Sequence, residues 1–171
     1  MVAMLPLVVS GAQCCTVSVG AVRGVKWVEH SSLNEDLREK IKDFFASLPE
    51  IEAVYVFGSV AKRTETKKSD LDLGLLFAEP APDYERRFEW MLMVAATLEK
   101  LIGRPVDLVD LAVAPLILQS QVLKYGFLLY ERHHRAHVEY EVNFRRKFFD
   151  FKPFWETYRR KMVADLTGKR S

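Results

Sequence analysis

Cysteine is nearly missing from this chain: Cys14 and Cys15 are all it has, and they are adjacent. Neighbouring thiols fit neither a disulfide framework nor a CxxC metal or redox spacing, so both of those classes are excluded and a reducing cytoplasm is the expected home. Net charge is almost as scarce. The 25 basic and 23 acidic residues leave +2, which excludes a broad basic surface for non-specific nucleic-acid binding. Any charge-based function must be local, and no direct nucleic-acid partner is expected. No apolar run is long enough to span a bilayer, so no membrane association is expected either. The first stretch is apolar and rich in small residues, but no Lys or Arg precedes Arg23 to make the charged start of a signal peptide. Gln13 also stands where a lipoprotein cleavage box requires a small residue. Residues 1–30 are therefore expected to be a disordered N-terminal extension. Internal repeats and low-complexity tracts are missing too.

What remains is a chain of 171 residues, 49% hydrophobic and 28% charged, suited to one globular domain with a core of its own. Ser32-Leu33-Asn34-Glu35 has the form in which serine and glutamate satisfy each other's free backbone donors, so a helix is expected to start there. Leu33, Leu37, Ile41, Phe44, Phe45 and Leu48 continue it as one apolar stripe that Pro49 stops. Ala53 to Phe57 reads as a buried strand bounded by Gly58, and Leu71 to Phe77 as a second strand beyond a polar loop. From Asp83 to Ile102 a long amphipathic helix is expected, with Gly103 as its stop. Val106 to Leu111 makes a third strand, Pro115 opens a helix to Tyr125, and Phe127 to Tyr130 makes a fourth strand. The fold class is thus α/β, with a small mixed sheet in a core of residues 31–131. Residues 132–171 are expected to be an appended helical extension, in one or two helices interrupted by Pro153 and carrying Tyr140, Phe144, Phe148, Phe151, Trp155 and Tyr158. That aromatic stripe reads equally as core packing or as an interface.

The chemistry lies between the first two strands. A glycine at a strand end, Gly58, lets the backbone approach a ligand closely, and a helix starting at Ser59 would turn its free amides toward a phosphate. Ser59 adds a hydroxyl, and Lys62, Arg63, Lys67 and Lys68 read either as a solvated charged loop, the usual meaning of such a run, or as triphosphate contacts, chiefly through Lys62 and Arg63. Asp70 and Asp72 stand one residue apart on a strand, so both carboxylates project from the same face. Hard Mg²⁺ favours such oxygens, and two-metal phosphoryl chemistry needs an acidic cluster of this kind, which implies a third carboxylate. The third strand offers Asp107 and Asp110 on opposite faces; Asp107 is favoured and Asp110 is the fallback. His133 and His137, four apart, could share a helix face, but without a third ligand they read as surface histidines.

With Gly58-Ser59 followed by ten residues and then Asp70-Leu71-Asp72, the chain resembles the minimal nucleotidyltransferases of the DNA polymerase β superfamily. The likeness continues through Val106 to Leu111 and the ending Gly126 to Glu131, covering roughly Ser32 to the C-terminus. One departure is Arg63, where family members usually carry glycine; if that position needs a positive φ, the side chain costs roughly 1 kcal/mol or more. The resemblance implies a polymerase β-like fold, ATP as substrate, two Mg²⁺ ions, and Asp70, Asp72 and Asp107 as catalytic metal ligands, with Gly58, Ser59, Lys62 and Arg63 at the nucleotide. Among such proteins the chain is most similar in size and extension to antitoxins that pair with HEPN-family RNase toxins. That similarity implies transfer of AMP to a tyrosine of a cognate toxin, in a hetero-oligomer. The alternatives are a non-catalytic antitoxin that binds its partner with a weak nucleotide site, favoured by Arg63, and a small-molecule nucleotidyltransferase.

Overall fold

The computed structural model describes residues 33–64, 66 and 69–166. The expectations for residues 1–30, Ser32, Lys67 and Lys68 lie outside them. Nine elements follow one another: α1 (Glu35–Ala46), β1 (Ile51–Val56), α2 (Gly58–Lys62), β2 (Leu71–Phe77), α3 (Tyr84–Ile102), β3 (Val106–Asp110), α4 (Leu116–Tyr125), β4 (Phe127–Glu131) and α5 (His134–Leu166).

The four strands form one sheet in the order β3-β2-β1-β4. β1 pairs antiparallel with both β2 and β4, while β2 and β3 run parallel, which is possible because α3 carries the chain back across the sheet. The α/β class and mixed sheet thus stand as expected. One sheet face packs Leu71, Leu73, Leu75, Val54, Val56 and Val106 against α1 and α3, from which Ile41, Phe45, Met91, Val94 and Leu98 project. The opposite face is smaller, with Tyr55, Leu76, Leu111 and Leu128 packed around Val122 of α4.

Several boundaries differ in instructive ways. α1 begins two residues later than a cap at Ser32 implies, because the Asn34 side chain accepts from the Leu37 amide at 2.9 Å. Two residues beyond Ser32, asparagine offers the same service to the free donors. β1 begins at Ile51 rather than Ala53, and Glu52, buried within it, is held by the His133 amide (2.7 Å) and ring (3.1 Å). α3 starts and stops as read, capped by the Asp83 side chain and ended by Gly103 in the left-handed conformation at φ 71°. Arg132 fastens the end of β4 to the turn between α1 and β1, donating to the carbonyls of Leu48 (2.8 Å) and Ile51 (3.1 Å).

The C-terminal region is a single helix with Pro153 inside it, not two. Its aromatic stripe divides. Tyr140 and Phe144 pack onto the domain, Phe148, Phe151 and Trp155 are half-buried, and Tyr158 is exposed, as are Phe149 and Phe154 beside the stripe. His137 is also not a surface residue. The first turns of α5 lie on the sheet, so this histidine is 1% exposed, between Glu131 and Glu141.

Candidate functional site

β1 and β2 deliver the site by pairing. The Phe57 amide donates to the Asp72 carbonyl at 3.0 Å, the last rung before the strands part, and this sets Gly58 directly over the Asp72 side chain. Gly58 has φ 67°, and a Cβ added there would land on the Asp72 carboxylate. Two separate constraints therefore favour glycine: the left-handed backbone and, above all, the space over the Asp72 carboxylate. The chain then winds into α2, whose capping residue is Phe57, so Ser59 lies within the first turn rather than capping it. The Ser59 backbone amide donates to the Asp72 carboxylate. α2 ends at Arg63, which holds φ 57° in the left-handed region with its amide donating to the Val60 carbonyl. The turn has kept the glycine geometry although the residue is arginine.

The acidic group assembles by register. Asp72 and Asp107 are direct Cα partners in the parallel β2–β3 pair, so both carboxylates stand on the same face of adjacent strands. Asp70 precedes β2 and is exposed. Burial first, then the charges of Asp107 and Asp70, push the Asp72 carboxyl above its ordinary range, opposed by the Ser59 amide and by Arg104. Two carboxylates whose repulsion is felt at a third, with oxygen donors and partial exposure, fit a hard divalent cation.

Asp110 stands apart from this group. Its carboxylate is 1% exposed and accepts from Arg87 Nε at 2.8 Å and from the Ala112 amide at 2.9 Å. Arg87 comes from α3, so Asp110 braces β3 against the helix on the far side of the sheet. Lys62 and Arg63 are exposed at the end of α2, and Lys62 Nζ lies 5.8 Å from the Tyr125 ring centre.

Two neighbours of the site were not singled out from sequence. Arg104 donates to the carbonyls of Ser69 (2.5 Å) and Asp70 (3.3 Å), bracing the loop that aims the carboxylates. Its signal, a lone arginine just before the third strand, is weak. Tyr125 closes α4 beside α2, with Lys124 and Lys62 over its ring; the hydrogen bond and charge of Lys124, then Lys62, hold its phenol below the usual range. Only the turn of α4 toward α2 brings it there.

Comparison with known proteins agrees with this architecture. The protein adenylyltransferase MntA of Shewanella oneidensis is 34% identical over 94 residues, a match covering 55% of this chain and 63% of that protein. The chain thus spans somewhat less than two thirds of the length of that relative. A crystal structure of a toxin-antitoxin with AMP-PNP superposes with a TM-score of 0.57 at 26% identity, covering 76% of this chain and 98% of that one. A mutant of the toxin-antitoxin MntA-HpeT gives 0.58 at 25% identity, covering 79% and 99%. The family described as polymerase beta, nucleotidyltransferase matches residues 39–135. Those residues run from α1 to the start of α5 and include every residue of the carboxylate site, and the chain belongs to the polymerase beta nucleotidyltransferase family.

Proposed function

We propose that this protein transfers AMP from ATP to a hydroxyl group, with a tyrosine of a cognate toxin as acceptor, and so acts as an antitoxin. The observation that carries the reading is the Asp72–Asp107 register beneath Gly58: it sets carboxylates for divalent cations beside a turn whose backbone can approach a phosphate. The relatives add the acceptor class, since one is named a protein adenylyltransferase and another was solved as a toxin-antitoxin with an ATP analogue.

Asp70, Asp72 and Asp107 would hold two Mg²⁺, which when bound neutralise phosphate charge and favour the ionised acceptor hydroxyl. Gly58 and Ser59 would receive the β- and γ-phosphates, with Lys62 and Arg63 at their outer side. The acceptor oxygen attacks the α-phosphorus in line, the bond to the bridging oxygen breaks, and pyrophosphate leaves. Asp107, the exposed residue of β3, would take the hydroxyl proton. Asp110 has no part in this step, being committed to Arg87.

A second reading, a non-catalytic antitoxin that only covers its partner, rests on Arg63. Its φ of 57° speaks against decay of the turn, because the residue keeps the left-handed geometry at a cost of about 1 kcal/mol. The test incubates the protein and its toxin with Mg²⁺ and α-³²P-ATP, comparing wild type with Asp70→Asn/Asp72→Asn. Label on the toxin with wild type alone is the expected result. A tight complex with no label from either protein would leave the covering role as the better account.

A further inference from the structure

At the junction of β4 and α5 three side chains converge that the transfer site does not use. Glu131 closes β4, His134 opens α5, and His137 follows one helical turn later, a spacing that sets both imidazoles on one face. His134 Nδ1 lies 3.2 Å from both Glu131 carboxylate oxygens, and His137 Nδ1 lies 2.8 Å from one of them. One ligand atom from each of the three residues lies within 4.8 Å of the others.

We propose that Glu131, His134 and His137 form a zinc-binding site that fastens the start of α5 to the end of the sheet. Two imidazole nitrogens and one carboxylate oxygen are the donor set that suits Zn²⁺, whereas Mg²⁺ takes oxygen ligands almost alone. Metal–ligand bonds of about 2.0–2.2 Å place donors a little over 3 Å apart, which small side-chain movements of this triangle reach. The surroundings support the assignment independently. Glu141 Oε1 lies 3.1 Å from His137 Nε2 and also accepts from the Tyr55 hydroxyl at 3.2 Å, while Arg145 pairs with its other oxygen. A carboxylate receiving the second ring N–H is the arrangement that orients metal-bound histidines and turns the other nitrogen's lone pair toward the ion. His137 is 1% exposed and tilted against Tyr55, so its ring is fixed. The His134 side chain is 70% exposed, which leaves the fourth position open to water.

The test uses the full chain carrying Cys14→Ser/Cys15→Ser, stripped with a chelator and titrated with ZnCl₂, with MgCl₂ in parallel. A chromophoric chelator reports affinity and thermal unfolding reports stability. One zinc is expected to bind and raise the melting temperature, with Mg²⁺ giving no such shift through these residues. His134→Ala, at an exposed position, is expected to keep the metal-free melting temperature and weaken zinc about tenfold or more. Asp70→Asn/Asp72→Asn is expected to leave the zinc affinity unchanged. Failure to retain zinc, affinity equal in wild type and His134→Ala, or loss only in the Asp70/Asp72 variant would each overturn the proposal.

Discussion

Asp72 shows how much a residue's role depends on neighbours far away in sequence. Its pairing with Asp70 is legible from period-two alternation alone, and so is the rule that only one of Asp107 and Asp110 can share its face. Which of the two does so is set by the β2–β3 register, which puts Asp107 opposite Asp72 and turns Asp110 to the α3 face, where Arg87 holds it. Asp107→Asn is expected to lower toxin labelling about 100-fold or more without loss of thermal stability. Arg87→Ala would strand a buried carboxylate at a cost of about 3–5 kcal/mol, while labelling per folded molecule persists. Chemical denaturation and single-turnover labelling measure both, and the reverse pattern would move Asp110 into the site. Gly58 is the sharper case. Its motif is readable, but its reason is not, because the clash with Asp72 exists only once β1 and β2 pair. Gly58→Ala is expected to cost about 1–2 kcal/mol from the left-handed backbone. It should also slow labelling about 100-fold by displacing the Asp72 carboxylate. A variant that labels at the wild-type rate would show that the turn and the carboxylate are not geometrically coupled.

Among the elements, helices with polar caps were the most readable and the C-terminal helix the least. Asp83 and Gly103 bracket α3 because both signals are local: a side chain that accepts a free amide and a residue that tolerates positive φ. α5 depends on context instead. Its first turns are fixed by the sheet, through the buried Phe144 and His137, and no periodicity in the sequence separates these from the exposed Phe149 and Phe154 farther along. Pro153 removes one backbone donor at an exposed position, where the freed carbonyl of Phe149 can meet water, so the helix continues through it. The stretch beyond has little core to hold it. Pro153→Ala is expected to restore the missing hydrogen bond and stabilise the distal helix locally by up to about 3 kcal/mol. Hydrogen exchange would report slower amides over residues 150–160, while global unfolding stays nearly where it was. A large rise in global stability would mean that the distal helix unfolds together with the domain.

At the scale of the whole molecule, strand order was the part that no local signal carries. Sequence periodicity marks four strands but does not say that β1 sits between β2 and β4, or that β3 lies at the edge beside β2. The order follows from burial: β1, buried along its whole length, takes a neighbour on each side, and the α3 crossover lays β3 parallel to β2. This order also concentrates Asp70, Asp72 and Asp107 at one end of the sheet, where their mutual repulsion works against folding at neutral pH. A ligand that brings positive charge there should stabilise the fold as well as serve catalysis. At a concentration about 100 times its dissociation constant, Mg²⁺–ATP would contribute about 2.7 kcal/mol by mass action. For a domain of this size that corresponds to a melting temperature raised by roughly 5–10 °C. Asp70→Asn/Asp72→Asn, with two of the three charges removed, is expected to melt no lower than wild type without ligand and to show no shift when Mg²⁺–ATP is added. A shift that survives in the double variant would place the nucleotide somewhere other than the β1–α2 turn, and the carboxylates would then need a different ligand to account for their clustering.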